Sequence, residues 1–152
     1  MLFFCETIRK TTKRYPDGTP QEMVYYSGNK EIAKQTFYEK GNKILVGKIP
    51  DGLAKEYNEN GQIQAEESFK DGQLNGLVKA YNKKGKLDAE LNYENGKLSG
   101  LAKGYYQKGK LKEEQNYKDG KRDGVAKIYF KNGKLQSKII FKDGVEVSRK
   151  KY

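Results

Sequence analysis

Gly52-Leu-Ala-Lys-Glu-Tyr57, Gly76-Leu-Val-Lys-Ala-Tyr81, Gly100-Leu-Ala-Lys-Gly-Tyr105 and Gly124-Val-Ala-Lys-Ile-Tyr129 stand 24 residues apart and agree in register. A fixed period of this length marks a repeat architecture, so the chain is read as a stack of similar units. Glycine recurs at Gly61, Gly85, Gly109 and Gly133, and again at Gly72, Gly96, Gly120 and Gly144. Each unit is thus punctuated twice by a residue able to take positive φ, and these eight glycines are the structural turns. Between them run alternating segments such as Lys86-Leu-Asp-Ala-Glu-Leu-Asn-Tyr93, and period two means strand. Asn60-Gly61, Asn95-Gly96, Asn132-Gly133, Asp71-Gly72, Asp119-Gly120 and Asp143-Gly144 supply hairpin turns. Lys84-Gly85 and Lys108-Gly109 keep only the glycine, which fits a loop ending in a left-handed bulge residue.

The expected fold is all-β: an elongated single-layer antiparallel β-meander of tandem ~24-residue β-hairpin repeats. Four regular repeats occupy 52–148. Residues 13–51 carry degenerate capping versions, Tyr15-Pro-Asp-Gly18 and Tyr38-Glu-Lys-Gly41, with an insertion at 42–51. All three prolines, Pro16, Pro20 and Pro50, fall here, as edges and turns require. An irregular segment, 1–12, precedes them, and a basic tail, 149–152, follows and helps to cap the array.

Composition narrows the function. Hydrophobic residues make up 35% and charged residues 34%, so burial is shallow, but 12 Tyr and 6 Phe exclude disorder. A net charge of +11 suits an anionic partner, although acidic residues recur in every unit and dilute it, which argues against nucleic acid. There is no histidine and one cysteine, which removes most metal sites, His-based catalysis and any internal disulfide. The adjacent pairs Glu66-Glu67 and Glu113-Glu114 point to opposite strand faces and form no acid/base pair. No catalytic residue, metal site or cofactor is assigned. No apolar run is long enough to span a membrane. Compartment is open: cytoplasmic, or exported if Leu2-Phe-Phe-Cys5 is the tail of a longer leader.

Two apolar rows are expected. Tyr57, Ile63, Tyr81, Leu87, Tyr105, Leu111, Tyr129 and Leu135 are read as the core. Leu53, Leu77, Leu91, Leu101, Val125 and Ile139 form a second row, with Phe69, Tyr93, Tyr117 and Phe141 guarding the turns between units. Lys55, Lys79, Lys103 and Lys127 recur on the nominal tyrosine face. Together with Tyr57, Tyr81, Tyr105 and Tyr129 they are the candidate binding face. The functional reading is a lysine ladder for a polyanion or acidic lipid surface; the plainer one has each lysine lying over a tyrosine and facing Glu66, Glu90 or Glu114.

The glycine-punctuated hairpins resemble MORN repeats, specifically the bacterial MORN-variant repeat, most strongly over 52–144. Ala54, Val78, Ala102 and Ala126 stand where the usual unit has its second glycine. The resemblance implies a non-catalytic scaffold for protein–protein interaction, with self-association left open. It also implies an alternative, an antitoxin or immunity protein neutralising a cognate toxin. A net charge of +11 is the wrong sign for masking a nuclease's basic cleft. Anionic lipid binding is a third reading.

Overall fold

The turns set the architecture. Asp71-Gly72, Asn95-Gly96, Asp119-Gly120 and Asp143-Gly144 have positive φ at both residues, from 48° at Asn95 and Asp143 to 89° at Gly144. This is the two-residue turn whose twist matches the flanking strands. Asn60-Gly61 and Asn132-Gly133 differ from that expectation, because only their glycines are left-handed. There the loops are longer: Asn58 N–H donates to Gln62 O and Gly61 N–H to Asn58 O, and Phe130, Gly133 and Lys134 repeat the pattern. Asn82–Lys86 and Tyr106–Lys110 close in the same way, as expected for a glycine bulge. Even the degenerate Tyr15–Thr19 loop makes these two bonds.

The computed structural model describes residues 6–38, 43–58 and 60–152. The leader reading of Leu2–Cys5 and the turn at Gly41 lie outside the described residues. The chain forms two compact units, 1–72 and 73–152. Unit 1 contains β1 (Thr7–Arg14), β2 (Pro20–Ser27), β3 (Lys30–Phe37), β4 (Lys43–Gly47), β5 (Gly52–Tyr57) and β6 (Ile63–Lys70). Unit 2 contains β7 (Gln73–Tyr81), β8 (Leu87–Glu94), the short β9 (Lys97–Leu98), β10 (Gly100–Tyr105), β11 (Leu111–Lys118), β12 (Lys121–Tyr129), β13 (Leu135–Lys142) and β14 (Val145–Lys151).

Unit 2 is the antiparallel meander that the sequence predicts, in the order β7-β8-β10-β11-β12-β13-β14, with β9 also on β8. Each regular hairpin carries one register shift just before its tyrosine, as at Ala80/Tyr81 and Ile128/Tyr129. Unit 1 departs from a simple meander. Its order is β4-β3-β2-β1-β5-β6, and β5 runs parallel to β1 with Thr7 beside Ala54 and Arg9 beside Glu56. Residues 7–12, expected to be irregular, are therefore strand. The insertion also holds a strand: β4, exposed throughout, pairs with β3 and ends at Gly47. There a Cβ would lie 2.2 Å from the Ile32 carbonyl oxygen at a φ of +85°, so only glycine fits. The basic residues 149–151 do not form a tail; the turn at Asp143-Gly144 starts another strand and they complete it.

The core lies on the face opposite the one expected. In β5 the parity places Gly52, Ala54 and Glu56 on one side and Leu53, Lys55 and Tyr57 on the other. Ala54, Val78, Ala102 and Ala126 are buried, while the tyrosine row is only partly buried. In unit 2, Ala126, Ile139 and Phe141 form the core cluster with Ile128 packed against it. Phe141 and Phe69 belong to the core rather than guarding turns. The proposed second row splits between faces: Leu91 and Ile139 pair with Val78 and Ala126, but Leu53 and Leu77 are exposed. In unit 1, Tyr25 meets Phe69 edge-on at 5.7 Å, and Ile49 is as deeply buried as Tyr25.

Candidate functional site

The face opposite the core carries a row of charges in direct cross-strand register. Lys79 pairs with Glu90, Glu90 with Lys103, Lys103 with Glu114, and Glu114 with Lys127. From Lys79 to Lys127 the repeat alternates lysine on one strand with glutamate on the next, so that each neighbour is an opposite charge. Lys55 faces Glu66 in the same register in unit 1, but its Nζ reaches Glu6 at 2.5 Å. The row changes at the end of unit 2. Lys127 is followed by Lys138, and Lys138 by Lys150.

The tyrosines sit on this face, one row over. Tyr57 pairs with Ile63, Tyr81 with Leu87, Tyr105 with Leu111 and Tyr129 with Leu135, as the loop geometry predicts. The glutamates tie the rows together. Tyr105 donates its hydroxyl to Glu90 at 2.6 Å, and Tyr129 donates to Glu114 at 2.9 Å beside a 2.7 Å bond from Lys127 Nζ. Burial and the bond to Glu90 push the Tyr105 hydroxyl up to about 12, so it stays a donor at neutral pH. The Lys127 bond holds the Glu114 carboxyl below the ordinary carboxylate range and, through the same contact, holds the Lys127 ammonium above its own. Both groups are ionised at neutral pH.

In unit 1 Lys55 and Tyr57, and in unit 2 Lys79, Lys103, Lys127, Tyr81, Tyr105 and Tyr129, thus lie on the side of the strands opposite their own unit's core, with the lysines interleaved with carboxylates over Lys79–Lys127. Lys79, Lys103 and Lys127 form no unbroken column of positive charge, because Glu90 and Glu114 stand between them. The break at Lys138 was visible in the aligned segments Lys86-Leu-Asp-Ala-Glu90, Lys110-Leu-Lys-Glu-Glu114 and Lys134-Leu-Gln-Ser-Lys138. The constant lysine position carries no trace of it, because the change sits in the cross-strand partner.

The core face of unit 2 also opens as a shallow groove of about 180 Å³, lined among others by Ala89, Ala102, Gly104, Tyr117 and Phe141. Glu113 and Arg122 are among its polar lining, and Arg122 lies 5.1 Å over the Phe141 ring. Among the described residues no group of His, Cys, Asp or Glu could hold a metal ion. Glu67 is buried on the core face while Glu66 faces Lys55, so this adjacent pair cannot act together. Glu113 and Glu114 divide in the same way, opposite Gly104 and Lys103. The sequence has no histidine, and the buried carboxylates Glu56 and Glu67 converge on the Arg9 guanidinium, which pairs with both.

Residues 50–71, 74–95, 98–119 and 122–143 match the family described as MORN repeat variant. No curated protein matches the chain. Among solved structures, accessory secretory protein 1, 2 and 3 in Streptococcus pneumoniae is similar at 16% identity and a TM-score of 0.26, covering 72% of this chain and 17% of that one. The GtfA/B complex bound to UDP and GlcNAc is similar at 11% identity and a TM-score of 0.28, covering 99% of this chain and 24% of that one. This chain thus spans less than a quarter of either one's length, and neither likeness bears on what it binds.

Proposed function

Because the chain belongs to the MORN repeat variant family, we propose that it is a non-catalytic scaffold that binds another protein through the tyrosine–lysine–glutamate face of its repeats. The observation that carries this reading is the pinned tyrosine row. Rings whose hydroxyls are already held by Glu90 and Glu114 lose little freedom on binding and offer rigid amphipathic contact area. In unit 2, Leu77, exposed at 37%, lies on the same face as Lys79 and Tyr81 and adds apolar surface where a partner would exclude water.

Alternating charge favours a patterned protein surface over a uniform polyanion or lipid headgroup layer, since each lysine from 79 to 127 has a carboxylate in register. A toxin with an acidic or apolar surface would be one such protein. The test is capture from a lysate of the source organism on immobilised protein, at low salt and at about 1 M, where the screening length is about 3 Å. A stoichiometric protein that survives high salt on the parent and is lost from the Leu77→Glu variant is the expected result. Equal capture by the variant, or recovery of only lipid or nucleic acid that disappears as salt rises, would overturn the reading.

A further inference from the structure

Two outward side chains recur on the second strand of each hairpin in unit 2, and the hairpin β12–β13 changes both. On β8 they are Glu90 and Asn92, on β11 Glu114 and Asn116, and on β13 Lys138 and Ile140. The polar pairs are bonded within the sheet. Glu90 accepts from the Tyr105 hydroxyl, and Glu114 accepts from Tyr129 and Lys127. The amides of Asn92 and Asn116 donate to the Leu101 and Val125 carbonyls at 2.6 and 3.1 Å. Neither bond can form from β13, because an ammonium group accepts nothing and an isoleucine side chain has no donor. Ser137, Ile139 and Phe141 are buried on that strand, so alternation turns Lys138 and Ile140 outward.

The first change costs the sheet an ion pair and the second a hydrogen bond. Lys138 pairs in register with Lys127 on β12 and with Lys150 on β14, and like charges directly opposite each other are destabilising. Nearby carboxylates do not relieve it: Glu114 bonds Lys127, Asp123 pairs with Lys142 at 3.4 Å, and Glu146 holds Arg149. Among the described residues Lys138 has no carboxylate partner. Ile140 is 42% exposed between Val125 and Ser148, its own register partners. Two neighbouring outward positions break the repeat's rule with no gain inside the fold, which points to a contact outside it.

We propose that a partner protein docks on the outward face of β12 and β13 at Lys138 and Ile140, presenting a carboxylate and an aliphatic side chain about 7 Å apart, the span of two strand residues. The inference rests on the scaffold reading and names the place of contact and the chemistry of the partner. The carboxylate supplies from outside the charge that Glu90 and Glu114 supply in the other hairpins, and the aliphatic group covers Ile140 and Val125. A layer of anionic headgroups fits less well, because it would meet Glu114 and Asp123 along with Lys138 and leave Ile140 against charge. A second copy of this chain also fits less well, since its Glu90 and Glu114 are already held by its own tyrosines.

The test titrates a peptide of two Glu-Ser-Leu-Ser units into the isotope-labelled full chain, followed by amide NMR. Extended, this peptide sets a carboxylate and a leucine on one side about 7 Å apart. The expected result is saturable shifts centred on Val125, Lys127, Lys138 and Ile140. Affinity should weaken at least about tenfold in Lys138→Glu and at least about threefold in Ile140→Asn, and the Lys-Ser-Leu-Ser counterpart should not bind. Both variants install residues that β8 and β11 hold in these slots, so their melting temperatures should match or exceed the parent's. No binding to the parent, equal affinity of parent and Lys138→Glu, or shifts centred elsewhere would overturn the proposal. So would phosphatidylcholine–phosphatidylserine vesicles that displace the peptide from Lys138, or a dimer of the parent that Lys138→Glu dissolves. Failure of the peptide alongside capture of a salt-resistant partner that depends on Leu77 would remove this inference and leave the scaffold reading standing.

Discussion

Replacing Arg9 by alanine is expected to destabilise unit 1 by about 3 to 5 kcal/mol at neutral pH, the cost of leaving buried charge without its partner. Arg9 is held between two carboxylates, in direct contact with Glu56 and 2.9 Å from Glu67, and all three side chains are only about a tenth exposed. Thr11 also donates to Glu56 at 2.7 Å. Burial raises the Glu67 carboxyl above its ordinary value even with Arg9 pulling it down. A raised carboxyl pKa favours the folded state most fully below the unfolded value, and that contribution is lost as pH rises through the folded value. Without Arg9 the folded value rises further, so the deficit should be small near about pH 4 and largest near about pH 7. Amide exchange across β1, β5 and β6 at the two pH values reads it directly. Combining Arg9→Met with Glu56→Ala and Glu67→Leu, the residue types that Ala80 and Leu91 supply in the next hairpin, should restore stability. A triple variant as weak as Arg9→Ala would show that the network does more than neutralise itself.

Truncating Phe141 to alanine should cost about 3 to 5 kcal/mol, whereas Tyr105→Phe should cost about 0.5 to 1.5 kcal/mol. Phe141 is 6% exposed against Ala126 and Ile139, with Arg122 stacked on its ring, so its removal opens a cavity and unseats a cation. Tyr105 keeps its partly buried ring in the Phe variant and loses only the hydroxyl bond to Glu90. Urea denaturation of the two variants followed by circular dichroism gives the comparison. Similar losses in both would mean that the two faces share the burden of stability.

The turns, the repeat length and the hairpin pairing were legible because glycine at positive φ and period-two alternation are local signals. Which face is buried was not. Both faces carry large side chains, and tyrosine, apolar in the ring and polar at the tip, reads equally well as core or surface. The small residues Ala54, Val78, Ala102 and Ala126 were the better guide, since they let Phe69, Phe141 and their equivalents pack over the same side of the sheet. The parallel pairing of β1 with β5, and with it the burial of Arg9 against Glu56 and Glu67, depends on a contact between residues 47 apart that no local pattern encodes. The alternating lysine and glutamate row needed register, because Glu90 and Glu114 become neighbours of Lys103 only once the strands are paired.

Assignment of the tyrosine–lysine–glutamate face as the outward, partner-binding one rests on which rings meet water. Hydroxyl-radical footprinting of the free protein, read by mass spectrometry, measures that directly. Oxidation at Tyr57, Tyr81, Tyr105 and Tyr129 with protection of Phe69 and Phe141, which are 7% and 6% exposed, is the predicted result. Oxidation of the two phenylalanines as readily as the tyrosines would contradict it and turn the binding face to the other side of the sheet.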